Sequence, residues 1–200
     1  MHPVRVRGVG GVTGLELRKF PSILYLHVKI TRKTMLEMEV KILNIDILSL
    51  RDTLVSLGAK RVFEGEVVSV FLRNSRGDKI RLRSMGSQYF VTHKTPVASD
   101  LSKSNDELET SVGDISTMET ILARTGFMVS ARTIKYRESY ELADARCEID
   151  TVPGIPPYLE IEAGNESTLR EAVEILGYDW DETSTMTERQ VKIHYGLQDA

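Results

Sequence analysis

Met35-Leu36-Glu37-Met38-Glu39-Val40-Lys41-Ile42-Leu43 alternates charged and apolar side chains from Glu37 onward. A period of two belongs to a strand, and here it predicts one charged face and one apolar face. C-terminal to this strand, Ile47, Leu50, Leu54 and Leu57 fall at helical spacing. Asn44 or Asp46 is a suitable cap for that helix, and Gly58 its stop. Three strands are expected next, over 61–73, 79–84 and 88–95, with Asn74-Ser75-Arg76-Gly77-Asp78 and Met85-Gly86-Ser87 as turns. A polar loop from Pro96 to Ser104 precedes a short strand over 105–112 and a helix from Asp114 to Thr125, closed by Gly126. Strands over 127–141, 144–152 and 158–163 follow, then a helix over 166–176 ending at Gly177 and a helical tail from Trp180. Many antiparallel strands interrupted by a few helices place the chain in the α+β class.

The strands share a charge pattern. Residues two apart lie on one face, so Glu37, Glu39 and Lys41 face together, as do Arg81 with Arg83, Thr92 with Lys94, and Lys135 with Arg137. Glu148 with Asp150 and Glu160 with Glu162 repeat the pattern in acids. Between them stand Met38, Val40, Ile80, Leu82, Tyr136, Ile149, Leu159 and Ile161. An ordinary sheet with one solvated face also alternates. Such a face usually mixes polar residues, whereas here whole strands repeat one sign, and like charges about 7 Å apart repel. The repulsion becomes useful when a species of opposite sign lies between them. Carboxylate pairs suit a divalent cation, and Arg and Lys pairs suit phosphate. If both sets line one cavity, the natural ligand is a metal-bound polyphosphate. Removing an inward charge from the ligand-free protein is then expected to relieve repulsion.

Composition narrows the classes. The 200 residues carry 26 Lys and Arg against 29 Asp and Glu, a net charge of −3, with 41% hydrophobic residues. No apolar run approaches the ~18 residues of a spanning helix. A pI near 5.9 gives no support to a nucleic-acid binder. The single cysteine, Cys147, allows no internal disulfide or cysteine-based zinc site and points to a reducing, cytoplasmic setting. Residues 1–34 hold seven basic side chains and one acid, Glu16, so residues 35–200 carry a net −9. The lead contains a glycine-rich stretch, Gly8 to Gly14, and an apolar run from Phe20 to Val28 interrupted by His27. It makes a poor signal peptide, and its glycines are not followed by the Lys-Ser/Thr of a phosphate loop. A transit peptide and an extension ahead of a domain starting at Met35 both remain open.

Taken together and in order, the motifs resemble those of the CYTH family, the triphosphate tunnel metalloenzymes, which include class IV adenylate cyclases and thiamine triphosphatases. Glu37-Met38-Glu39-Val40-Lys41 resembles the family's E-x-E-x-K signature, Arg81-Leu82-Arg83 its R-x-R strand, Thr92-His93-Lys94 its T-x-K strand and Lys135-Tyr136-Arg137 its K-x-R strand. Asp150, followed by Glu160-Ile161-Glu162, resembles its closing acidic strands. The resemblance spans Met35 to Tyr195. It implies a domain over 35–200 and favours reading 1–34 as an extension outside the fold. The implied fold is a closed antiparallel barrel of about eight strands, a tunnel with charges inward and helices packed outside. Lys41, Arg81, Arg83, Lys94, Lys135 and Arg137 would hold triphosphate oxygens. Glu37, Glu39, Asp150, Glu160 and Glu162 would bind one or two Mg²⁺ or Mn²⁺ ions, with Glu148 a further member on the face of Asp150. Glu37, Glu39, Lys41, Lys135, Glu160 and Glu162 are the expected catalytic set.

The resemblance implies a small triphosphate as substrate: inorganic triphosphate, ATP or thiamine triphosphate. Hydrolysis needs only water, whereas cyclisation of ATP needs the ribose 3′-hydroxyl to attack the α-phosphorus. Both reactions, and a binding module with little turnover, stay open at this stage. A homodimer is the expected assembly, with neither nucleic acid nor membrane as partner. Other residues have plainer readings. His93 points away from the tunnel by parity, and His2, His27 and His194 show no metal-ligand spacing. Cys147, opposite in face to Glu148, reads as a buried small hydrophobe. Arg76-Gly77-Asp78 reads as turn chemistry, Asn165 as a helix cap, and Lys60 with Arg61 as a solvated junction. Glu107 and Glu109 share a face and are candidates for the tunnel rim.

Overall fold

The computed structural model describes residues 15–20, 23–28, 35–97 and 103–197. The glycine-rich stretch Gly8 to Gly14, His2 and the middle of the polar loop after Pro96 lie outside the described residues. The chain divides into two compact units, Met1–Thr34 and Met35–Ala200. In the first, β1 (Leu15–Phe20) and β2 (Ile23–Val28) pair antiparallel, with Leu15 opposite Val28. The sequence reading assigned no strands there.

The second unit holds β3 (Met35–Leu43), α1 (Ile47–Ser56), β4 (Lys60–Arg73), β5 (Lys79–Met85), β6 (Gln88–Val97) and β7 (Lys103–Ser111). It continues with α2 (Ile115–Arg124), β8 (Met128–Leu142), β9 (Ala145–Thr151), β10 (Tyr158–Ala163) and α3 (Glu166–Ile175). A 3₁₀ turn over Trp180–Glu182, a two-residue strand β11 (Thr183–Ser184) and α4 (Glu188–His194) complete it. Every pairing is antiparallel, in the order β10-β9-β8-β4-β5-β6-β7-β3. A further pairing of β10 with β3 joins the ends, so eight strands form a closed barrel.

Local chemistry starts and stops these elements where expected. Asp46 caps α1 by accepting from the Ser49 N–H at 3.0 Å, and Asn165 caps α3 by accepting from Thr168 at 2.9 Å. In the β4–β5 turn, Asn74 Oδ1 accepts from the backbone N–H groups of Arg76 and Asp78, both at 3.0 Å. Gly77 takes the positive φ of 90° that the turn needs.

The apolar faces point out of the barrel, under the helices. Leu50 and Leu54 of α1, with Leu169, Ala172 and Val173 of α3, pack on Val40, Ile42, Cys147, Ile149, Leu159 and Ile161. Each fully buried aliphatic side chain contributes about 1.5–3 kcal/mol of burial free energy. Cys147 is thus the small buried hydrophobe expected, its thiol pushed up to about 12 by burial and the Glu162 charge. Leu122 of α2 covers Val70, Leu72 and Leu82 in the same way. Helix α4 behaves differently: Val191 packs with Tyr158, Val152 and Ile155, and Leu43 joins that cluster. Leu43 and Tyr158 share faces with Lys41 and Glu160, which puts α4 over one mouth of the barrel. No helix among the described residues is long and apolar enough to cross a membrane.

Candidate active site in the barrel interior

Strand register brings the charged faces together. Glu160 lies opposite Lys41 on one side and Glu148 on the other, while Glu162 lies opposite Glu39. Asp150 lies opposite Arg137, Arg81 opposite Thr92, and Lys94 opposite Glu107. With the helices covering the alternate positions, all twelve predicted site side chains lie on the inner wall.

The interior is partly neutralised by its own pairs. Lys41, almost wholly buried, sits between Glu39 at 2.7 Å and Glu160 at 2.6 Å. Burial alone would lower its ammonium pKa, but the two carboxylates raise it, so Lys41 stays charged. Arg137 donates to Asp150 from Nε at 2.6 Å and from Nη2 at 2.7 Å, and also reaches Glu160 at 3.3 Å and Glu148. Lys135 contacts Asp150 at 2.7 Å. Burial would raise the pKa values of Asp150 and Glu160, but Arg137 and Lys135 hold Asp150 below its ordinary value, and Lys41 with Arg137 holds Glu160 well below its own. Here the structure corrects the expectation of a purely repulsive cavity: Lys41 and Arg137 are held by opposite charge across strands, and removing either leaves carboxylates buried without compensation.

Among the described residues no ion pair reaches Glu162, although Arg146 lies opposite it in the register and Arg137 pulls its pKa down. Burial first, then the charges of Glu37 and Glu160, push its carboxyl to about 8. Glu37 is pushed to about 7 by burial and a hydrogen bond with Glu107, against the pull of Lys94 at 3.5 Å. Ligand oxygens of Glu39, Glu160 and Glu162 lie within 4.8 Å of one another. Such a set of three carboxylates supplies the hard oxygen donors that Mg²⁺ or Mn²⁺ prefers.

Across the barrel the cations have spare donors. Arg83 contacts Glu109 at 3.0 Å and Arg81 contacts it at 3.6 Å, yet both Nε atoms are buried without a hydrogen-bond partner. Burial and the neighbouring Arg83 hold the Arg81 guanidinium below its ordinary pKa. Thr92 donates to Glu109 at 2.6 Å, and Lys94 pairs with Glu37 and Glu107. Glu107 and Glu109 therefore belong to the interior network; their shared face was the signal. Two members were not foreseen. Tyr158 is fully buried, and its hydroxyl has no hydrogen-bond partner. Glu188 reaches Lys135 at 3.2 Å from α4. The parity of Tyr158 with Glu160 was readable; the reach of Glu188 depends on how α4 docks. His93, one residue from Lys94, faces outward as expected, opposite Ile80.

A CYTH domain family model matches residues 35–184. A Methanocaldococcus jannaschii protein named as a candidate adenylate cyclase is 28% identical over 154 residues, covering 71% of this chain and 88% of that protein. A Vibrio parahaemolyticus structure, also named as a candidate adenylate cyclase, superposes with a TM-score of 0.69 at 12% identity, covering 80% of this chain and 98% of that one. A Hippeastrum protein, described as a candidate adenylyl cyclase with dominant triphosphatase activity, superposes with a TM-score of 0.53 at 12% identity, over 82% of this chain and 97% of that one. At such identities the superpositions speak for the fold alone. The match of the family model over most of the chain shows more: this chain belongs to the CYTH domain family.

Proposed function

We propose that this chain is a divalent-cation-dependent enzyme that hydrolyses a linear triphosphate, inorganic or organic, bound inside the barrel. One observation carries the reading: the close carboxylates Glu39, Glu160 and Glu162 share a closed interior with Arg81, Arg83, Lys94, Lys135 and Arg137. Glu39, Glu160 and Glu162 would hold Mg²⁺ or Mn²⁺, with Glu37 and Asp150 joining directly or through water. Such an ion would supply Lewis-acid stabilisation of phosphate charge and a more acidic water. The chain's own groups do the rest. Phosphoryl transfer asks mainly for positioning and neutralisation of oxygen charge. The Nε atoms of Arg81 and Arg83 are ready donors for an anion, and their placement at alternate positions of one strand, on the same face, needs no rearrangement at the moment of reaction. Lys41 fixes Glu39 and Glu160 in place, and Arg137 does the same for Asp150 and Glu148.

Triphosphatase activity in the Hippeastrum relative favours hydrolysis. The names of the Methanocaldococcus and Vibrio proteins favour the second reading, cyclisation of ATP to cyclic AMP and pyrophosphate. Product analysis separates them. The purified protein is incubated with inorganic triphosphate and with ATP, each with Mg²⁺ and with Mn²⁺, and the phosphorus products are resolved. Orthophosphate with pyrophosphate from inorganic triphosphate supports the hydrolase. Cyclic AMP with pyrophosphate from ATP replaces it with the cyclase. Tight binding without either product would overturn both in favour of a nucleotide- or polyphosphate-binding module.

A further inference from the structure

Among the described residues, Glu188 is the one acidic side chain that a helix, not a barrel strand, sends to an inner-wall cation. It stands at the first position of α4, where Thr187 and Gln190 form a capping box, and Val191 beside it is fully buried. Its Oε1 accepts from Lys192 at 2.7 Å, while Oε2 lies 3.2 Å from Lys135. Burial would favour the neutral acid, but Lys135 and Lys192 keep Glu188 ionised. The apolar packing of Val191 on Tyr158, Val152 and Ile155 seats α4 at this mouth, and the contacts with Lys135 and Lys192 hold the carboxylate there. Of the three N–H groups on Lys135, Asp150 and Glu188 face two, leaving one for a ligand. The buried, unpartnered Tyr158 hydroxyl lies at the same mouth, opposite Asp150, and supplies a second free donor.

We infer that Glu188 is a specificity-determining residue that sets the length of polyphosphate the barrel accepts. The inference rests on the triphosphate reading above. The last phosphoryl group of a bound chain takes the remaining Lys135 donor and the Tyr158 hydroxyl. A further phosphoryl group would have to lie against the Glu188 carboxylate that Lys135 and Lys192 hold, like charge against like charge. Linear triphosphate fits, and linear tetraphosphate is rejected.

Calorimetric titration of the full chain with inorganic tri- and tetraphosphate, with Ca²⁺ in place of Mg²⁺ to hold turnover down, tests this by binding; analysis of the phosphate products after each titration checks that the ligand is intact. Wild type should bind triphosphate at least about tenfold more tightly than tetraphosphate, the order expected of one unscreened like-charge contact. Glu188→Gln, which keeps the shape and removes the charge, should close most of that gap by tightening tetraphosphate. Glu188→Asp keeps the charge and should preserve the preference, so loss of selectivity in both variants would overturn the inference. Equal affinity of wild type for both chains, or an equal change in both on Glu188→Gln, also overturns it. Failure of wild type to bind triphosphate at all would instead refute the triphosphate reading, and the inference would fall with it. Thermal melts of both variants check that α4 remains docked.

Discussion

The two walls of the barrel handle charge in opposite ways. On the β3-β10-β9-β8 wall, Lys41 and Arg137 are only 2% and 4% exposed, and carboxylates hold each from several sides. On the β4-β5-β6-β7 wall, Arg81, Arg83 and Lys94 keep 17%, 14% and 25% of their side-chain surface, and the two arginines have Nε donors to spare. On one wall Lys41 and Arg137 are committed to neighbouring carboxylates. The other is under-paired and can serve a ligand. The same residue types thus do structural work on one side and stand ready for an anion on the other, and the difference lies in how many carboxylates the register brings within reach.

The contrast can be broken most severely at Arg137. Arg137→Ala strands Asp150, Glu148 and Glu160 in the interior, and should cost about 3–5 kcal/mol of unfolding free energy, measured by urea titration. A loss below 1 kcal/mol, on the scale of a surface pair, would mean the wall is not a mutually compensating network. Next, Glu160→Gln should lower turnover on triphosphate by about two orders of magnitude or more, because metal-held charge stabilisation is lost while Arg81, Arg83 and Lys94 still bind the anion. Equal losses in affinity and turnover would assign Glu160 to binding alone.

Acidity offers a third approach. In the metal-free fold, Glu37 and Glu162 have pKa values near 7 and 8, raised first by burial, whereas in the unfolded chain both fall near 4.5. The folded state therefore holds extra protons between these limits. Their contribution to stability is present below about pH 4.5 and fades as pH rises through 7 to 8. If Glu162 is a ligand as proposed, Mn²⁺ has to displace its proton, so Mn²⁺ affinity should rise by up to about tenfold per pH unit below the carboxyl's pKa. Titrations at pH 6 and pH 7 in buffers of different ionisation enthalpy would show the released proton; its absence would remove Glu162 from the ligand set.

The smallest effects belong to the under-paired wall. Arg81→Met should change stability by less than about 1 kcal/mol, in either direction, because Arg81 has only long contacts to Glu109 at 3.6 Å and Thr92 at 3.5 Å to lose and a neighbouring Arg83 to escape. It should nevertheless weaken triphosphate binding by about tenfold or more. A large stability loss would erase the contrast between the walls. Thr92→Val should cost about 1 kcal/mol for its bond to Glu109.

What the sequence makes legible is whatever depends on neighbours along the chain. The alternation around Glu37, Glu39 and Lys41, the Asn74–Asp78 turn and the Asp46 and Asn165 caps are local patterns, and the structure repeats them. Partner choice is not local. That Lys41 lies between Glu39 and Glu160 follows from the register of β3 against β10, and like-charge spacing on one strand gives no hint of it. For the same reason the tail past Trp180 reads only as helical, although Thr183 and Ser184 pair with Ile42 and Lys41 as β11. Glu188 was missed because nothing in a short helix's own sequence says which mouth it will cover.

Strand β3 is bonded on one edge by β10 and on the other by β7 and then β11. During synthesis it is the barrel's first strand to emerge and the last to be satisfied, since Met38 must wait for Ala163 and Lys41 for Ser184. Until then both its edges offer open hydrogen-bonding groups to any passing strand. Folding of this domain is thus governed by its most distant contacts, and should be slow and aggregation-exposed on the ribosome until the final strands are made. A nascent chain truncated before β10 should resist protease no better than an unfolded one.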